Sequence, residues 1–385
     1  MRQGSATNQG QRMAQSLEAV KSALPLPHKR GRPMAVTWNN ATIVYGGYAP
    51  EEPRIDQLSV VFYHKSGKWT KKHTYGEFPK WSQLSGAHVV NDKMFVFDSD
   101  EGKMVVYSLD LHTWIWEILI PSSTSPFGSG SIVASWVYNR MIYCFGGLGF
   151  GAGAHASNQF FCYNISTNSW EWPNARGDIP SPRFAPSVVI SKDTVFIFGG
   201  IGDGNTYNDL YILDMVSMRW RRVHGNLPIG EGPTKIRKPT LTCFSQSTAL
   251  LLGCTTVHNP PISWPVNNSW LLNLHNAKQL MAPSSIWTNL PNHPSRCCHA
   301  TVLQPLSKRL WVMGGHDGTL SCLDKGGFTS NVMKVKVFQL WPLKDLAIEH
   351  LAKSLCANYS RLAPDQLPKE LKKNIEAYQC ENGNE

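Results

Sequence analysis

Apolar residues along this chain come in short runs. Four of those runs end on a glycine pair: Ile43-Val-Tyr-Gly-Gly47, Ile142-Tyr-Cys-Phe-Gly-Gly147, Val195-Phe-Ile-Phe-Gly-Gly200 and Leu310-Trp-Val-Met-Gly-Gly315. Short stretches rich in β-branched and aromatic residues and bounded by glycine read as buried strands. Two further runs, Met94-Phe-Val-Phe-Asp98 and Ala249-Leu-Leu-Leu-Gly253, hold the same place in the pattern without the pair. The run ends at Gly47, Asp98, Gly147, Gly200, Gly253 and Gly315 recur at a spacing of about 50 residues, which makes the chain a tandem of β units. Each unit continues with a second apolar run, and most with a tryptophan: Leu58 to Tyr63 with Trp69, Val105 to Asp110 with Trp114 and Trp116, Phe160 to Asn164 with Trp170, Asn208 to Asp214 with Trp220, and Ser269 to Leu274. The glycines permit backbone conformations barred to other residues, and the outer tryptophan is expected to pack on the neighbouring sheet.

A β-rich motif at this period resembles that of kelch propellers, where each period is one four-stranded blade. The predicted fold is all-β, a six-bladed kelch β-propeller over residues 28–341, with a degenerate fifth blade interrupted by a proline-bearing insertion from Val257 to Pro265. Residues 1–27 are polar and rich in Gln and Ser, and read as a disordered tail with at most a helical turn between Met13 and Leu24. Residues 342–378 read as a short helical box, and 379–385 as a second disordered tail.

Composition supports a large core. Of 385 residues, 42% are hydrophobic and 17% charged, which excludes a disordered or fibrous chain. The 25 prolines, 31 glycines and 14 tryptophans suit many strands joined by turns. Nine cysteines lack regular spacing, the start Met-Arg-Gln-Gly carries no apolar signal stretch, and no apolar run is long enough to span a membrane. The expectation is a reducing compartment, cytosol or nucleus, with no membrane partner. The formal charge of +10 is scattered, with small clusters at Lys29-Arg30, Arg219 to Arg222, Lys235 to Lys238 and Lys369 to Lys373, so solvated faces are favoured over nucleic-acid binding. His28-Lys-Arg-Gly-Arg-Pro33 contains the Arg-Gly-Arg-Pro core of minor-groove hooks, yet it also opens the first blade, where a structural arginine is expected.

No motif demands catalysis. Gly147-Leu-Gly-Phe-Gly-Ala-Gly153 lacks the following helix and the Lys-Ser or Lys-Thr pair of a phosphate cradle. The adjacent Cys297 and Cys298 of Cys297-Cys298-His299 point to opposite faces if they lie in a strand, which is unfit for one ion. With no nucleophile elbow and no zinc helix, the expectation is a non-enzymatic protein without metal or cofactor.

Behind the last blade, Leu343, Ala347 and Leu351 recur at helical spacing, with Leu346 and His350 beside them. The small Ala347 allows close approach of a partner helix and the leucines can enter pockets; the alternative is a helix packed on its own propeller. A second short helix begins at Leu367-Pro368 and carries an apolar Leu371/Ile375 edge. Pro342-Leu-x-x-x-Ala-x-x-x-Leu351 resembles the elongin-binding box of cullin–RING ubiquitin ligase receptors, and Leu367-Pro-x-x-Leu-x-x-x-Ile375 is similar to the cullin-2 box that follows it. The ordered pair behind six blades looks like the kelch-domain receptors that recognise C-terminal glycine degrons. That resemblance implies a non-catalytic substrate receptor. Its propeller would hold a target protein, and Leu343, Leu346, Ala347 and Leu351, then Leu367, Pro368, Leu371 and Ile375, would recruit elongin B, elongin C and cullin-2, with cullin-5 as the other choice. In that family two arginines after the fourth glycine pair grip the target's terminal carboxylate. Here the loop reads Ile201-Gly-Asp-Gly-Asn-Thr206, without arginine; Lys235, Arg237 and Lys238, which enter beside that loop, are the candidates for compensating cations, the alternative being that they are merely solvated. The rival reading is a kelch interaction scaffold with no ligase attached; a third is DNA association through His28 to Pro33.

Overall fold

The structure is a computed structural model that describes residues 17–21, 26–47, 58–63, 68–79, 86–100, 103–126, 132–149, 155–202, 204–236, 238–256, 265–290, 296, 298–303, 309–315 and 332–337. Among them the strands form six sheets. The first runs Met34–Trp38, Ala41–Tyr45, Leu58–Tyr63, Lys68–His73, and the second Ala87–Val90, Lys93–Asp100, Lys103–Asp110, Ile115–Leu119. The third runs Ala134–Tyr138, Met141–Phe145, Phe160–Asn164, Ser169–Glu171, and the fourth Ser187–Ser191, Thr194–Gly202, Asn205–Asp214, Arg219–His224. The fifth is Thr240–Cys243, Thr248–Thr256, Pro265–Asn273, Trp287–Asn289; the sixth is Ala300–Leu303, Leu310–Met313, Val332–Val337, Leu17–Lys21. Within these four-strand series every pairing is antiparallel. The innermost strands pack on one another in sequence order and the sixth returns to the first, the arrangement of a propeller.

Local chemistry explains the repeat. At the end of the third strand an Asp or Asn folds the backbone into a turn. The Asp110 Oδ1 accepts from the backbone N–H of His112 and Thr113, Asn164 Oδ1 from Ser166 and Thr167, and Asp214 Oδ1 from Val216 and Ser217. Four residues on, Trp114, Asn168 and Met218 take φ of 62°, 48° and 50°, and each leads directly into an outer strand. The N–H donations hold the carboxyls of Asp110 and Asp214 below the usual range.

The core lies between sheets, and one aromatic contact recurs there. Tyr45, Phe97, Phe145 and Phe198, each ending the apolar run of one sheet, meet Trp116, Trp170, Trp220 and Trp287 on the outer strand of the next, at ring-centroid distances of 5.0, 5.6, 5.1 and 5.3 Å. The expected packing of outer tryptophans on neighbouring sheets is therefore observed.

Three features depart from the sequence reading. Leu17–Lys21, inside the expected disordered tail, forms a strand antiparallel to Val332–Val337, with Leu17 opposite Val337. The reason is an open edge on the last sheet, which the polypeptide fills from its other end. Two short helices, Leu274–Lys278 and Pro283–Ile286, interrupt the fifth sheet, the first capped by the Asn273 side chain accepting the Asn276 N–H. Finally, Tyr75–Gly76 and Arg176–Gly177 add two-residue parallel strands to the outer edges of the second and fourth sheets.

Candidate functional site

Connections into each innermost strand and loops leaving each second strand lie at one end of the sheets, because alternate strands run antiparallel. The connections carry a structural arginine in three sheets. Arg30, Arg183 and Arg296 are buried, and each Nη1 donates to the first glycine carbonyl of its sheet's pair, Gly46, Gly199 and Gly314, at 3.1, 2.8 and 3.1 Å. Arg183 is satisfied completely. Its Nε donates to the Ser181 carbonyl at 2.9 Å, Nη1 to Asp209 at 2.7 Å, and Nη2 to Asp209 and Ser181 Oγ at 3.0 and 3.3 Å, which with the Gly199 bond uses all five donors. Burial of Arg30 at 0% exposure removes it from the surface that a minor-groove hook would require.

Two residues after that arginine position comes a residue in the left-handed region. Arg32, Ile132, Ala185, Lys238 and Cys298 have φ of 55°, 56°, 52°, 50° and 53° and stand two positions before the innermost strands of the first, third, fourth, fifth and sixth sheets. Neighbours in this series are joined by backbone: the Arg32 N–H donates to the Cys298 carbonyl at 2.7 Å, and Ala185 N–H to Ile132 at 2.9 Å. These five residues form a collar at the loop end of their sheets, two of its links being made by backbone. Arg32 is exposed and Lys238 half-buried, on the two sheets that flank Cys298.

Below the collar, polar side chains bridge innermost strands. Thr240 Oγ1 meets His299 Nε2 at 2.8 Å, Thr242 and Thr301 hydroxyls are 2.7 Å apart, and Ser187 Oγ donates to the Pro239 carbonyl at 2.6 Å. His88 Nε2 lies 2.8 Å from Ser135 Oγ, a spacing that suggests a base and a nucleophile. Burial pushes the His88 imidazole down from 6.5 to about 4, too weak a base for that role at neutral pH. Among the described residues no group of three or more His, Cys, Asp or Glu is placed to hold a metal.

Of the expected substrate-binding cations, Lys235 is exposed on the fourth-to-fifth connection and Lys238 belongs to the collar; Arg237 lies outside the described residues. The arginine position of the fifth sheet is taken by Ile236, fully buried. Leu343, Leu346, Ala347 and Leu351, and Leu367, Pro368, Leu371 and Ile375, lie outside the described residues as well. Sequence reasoning marks Arg32 only as part of the minor-groove hook His28 to Pro33 and not as a cation for a protein target. The signal that could have found it is its position, two residues after Arg30 as Lys238 is two after Ile236.

Comparison with known proteins places this geometry. Residues 31–254 match the family model of the KLHDC2/KLHL20/DRC7 Kelch-repeats domain. The protein is similar to human Kelch domain-containing protein 1, 26% identical over 88% of both sequences, and to the mouse protein of that name, 24% identical over 92% of both. Bovine Kelch domain-containing protein 2 is 25% identical over 66% of this sequence and 71% of its own. The solved structure of YjhT superposes with a TM-score of 0.59 at 12% identity, covering 81% of this protein and 98% of that one, a likeness of fold. The chain belongs to the kelch-repeat family and is a kelch-type β-propeller, a protein-interaction fold.

Proposed function

We propose that this protein is the non-catalytic substrate-recognition subunit of a cullin–RING ubiquitin ligase. The six sheets are then the blades of one ring whose loop end holds a target protein, and the segment behind it recruits elongin B/C and cullin-2, in cytosol or nucleus. The observation that carries this reading is the ordered pair of boxes, Leu343, Leu346, Ala347 and Leu351 followed by Leu367, Pro368, Leu371 and Ile375, directly behind a kelch propeller. The collar supplies a surface for the target. Its cations, with Lys235 on the same connection and Arg237 next to Lys238 in the sequence, favour an anionic group such as the C-terminal carboxylate of the target.

The second reading is a kelch scaffold with no ligase attached, favoured by the loop Ile201 to Thr206, which lacks the arginines of the degron receptors. The two separate on copurification of the recombinant protein with elongin B and elongin C. The ligase reading expects a stable complex that is lost in a Leu343→Asp, Leu351→Asp variant with unchanged propeller stability; no complex from the intact protein leaves the scaffold.

A further inference from the structure

We propose that the outer edge of the fourth sheet, away from the loop end, binds an acidic segment of a partner protein through Arg176, Arg219 and Arg221. The parallel register sets Arg176 directly beside Arg219. That placement is fixed by backbone: the Arg176 N–H donates to the Met218 carbonyl at 3.0 Å, the Asp178 N–H to Trp220 at 3.1 Å, and the Arg222 N–H to Asp178 Oδ2 at 3.1 Å. Gly177, at φ 98°, lies so close that a Cβ there would stand 2.2 Å from the Trp220 carbonyl oxygen. Two arginine backbone positions are thus held side by side, and like charges on directly neighbouring strand positions cost free energy in the absence of an anion.

The fold does not require them. The second sheet carries the same two-residue parallel strand, with Tyr75 beside Ile115 at the matching places and Gly76 against the Trp116 carbonyl oxygen. There the neighbours are apolar, so the arginines are a property of this edge and not of the architecture. Arg176, Arg219 and Arg222 are exposed and Arg221 is half-buried. Two carboxylates stand nearby, and both are occupied: Asp178 by the Arg222 N–H, and Asp214 by the N–H of Val216 and Ser217 and the Ser217 hydroxyl. Among the described residues none of the four arginines has a carboxylate within 4 Å, although Arg221 acts electrostatically on Asp214 and the Arg222 side chain is hydrogen-bonded to Tyr211, which leaves Arg176 and Arg219 as the pair without a counter-ion.

Size selects the partner. From Arg219 to Arg221, on one face of the strand, the advance is about 7 Å, room for one or two anionic groups. Duplex binding at physiological salt draws on more phosphate contacts than that, whereas a short run of Asp and Glu fits. The exposed Ile179 and Val216 offer apolar contacts that a protein segment uses and a phosphate backbone does not.

The test is fluorescence anisotropy with the full-length protein and a labelled hexaglutamate peptide. Binding should weaken about tenfold or more in Arg176→Glu/Arg219→Glu and fall on raising salt from about 10 mM to about 150 mM, while Lys71→Glu, an exposed cation on the outer strand of the first sheet, leaves it unchanged. No binding by the intact protein, equal binding by the double variant, an equal loss in Lys71→Glu, or tighter binding of a short DNA duplex than of the peptide would each overturn the proposal. Thermal unfolding of Arg176→Thr gives a peptide-independent check: relief of the paired charges should leave it at least as stable as the parent, and a lower Tm would show that the arginines serve the fold.

Discussion

Among the buried and half-buried polar side chains of this propeller, one arginine is fully used and two histidines answer to pH. Arg183 exhausts its donors on Asp209, Ser181 and Gly199 and lies 4.5 Å from the Tyr207 ring centroid, so its role is structural. The histidines differ. His224 is held between the Gly225 carbonyl, 2.8 Å from Nδ1, and Trp287 Nε1, which donates to its Nε2 at 2.9 Å; that pair of bonds requires the neutral ring, and burial lowers its proton affinity. Burial brings His88 from 6.5 to about 4. In both cases the unfolded state binds the proton more readily, so stability falls as pH drops through about 6.5 and levels off below about 4 for His88, by up to about 3 kcal/mol. Urea unfolding at several pH values should show this slope, and His88→Gln should flatten it. An identical slope in parent and variant would remove His88 as its source.

At the scale of elements, the same few signals that form the sheets also say which parts were legible in sequence. Glycine pairs and outer tryptophans mark the second and fourth strands because a positive φ at Gly46, Gly146, Gly199 and Gly314 and a large inter-sheet ring contact both demand particular residues. The two-residue strands at Tyr75–Gly76 and Arg176–Gly177 left no such trace, since they are too short to show periodicity. The helix Leu274–Lys278 was hidden because its first residue continues an apolar strand run and only the Asn273 cap announces the change. Of the site, the cluster Lys235 to Lys238 was legible as charge, whereas the collar emerges only in three dimensions: its members Arg32, Ile132, Ala185, Lys238 and Cys298 share a backbone angle and no side-chain chemistry. The short edge strands yield a sharp expectation. Gly177→Ala places a Cβ 2.2 Å from a backbone oxygen at a positive φ, so the segment must leave the Arg219–His224 edge. The loss should be of the order of 1–3 kcal/mol in chemical denaturation, against little change for Gly230→Ala as far as space is concerned, where nothing lies within 4 Å and only the backbone angle is strained. Equal losses in the two variants would show that crowding at Gly177 is immaterial.

For the whole molecule, closure depends on a strand that its own sequence hardly advertises. Leu17–Lys21 is a mixed apolar and charged pentapeptide, and it reads as tail until the sixth sheet is seen to lack an outer strand. Pairing it with Val332–Val337 ties the two ends of the described residues into one sheet, so the first and last sheets cannot separate without breaking that ladder. A propeller closed this way gains cooperativity because its last sheet is completed from the other end of the described residues, and the Val332–Val337 edge that would otherwise recruit another strand is covered. Deleting residues 1–21 should therefore act beyond the sixth sheet. The truncated protein should unfold at lower denaturant, with the fluorescence of Trp69 and Trp311, which belong with Val302 and Met313 to the cluster joining the sixth sheet to the first, changing before that of Trp170 and Trp220. It should also self-associate, because Val332–Val337 becomes a free edge. Adding the peptide of residues 12–24 in trans should reverse both effects. If the truncated protein keeps the full-length midpoint and stays monomeric, the strand is an ornament on a ring already closed by the contacts between Ala300–Leu303 and Met34–Trp38.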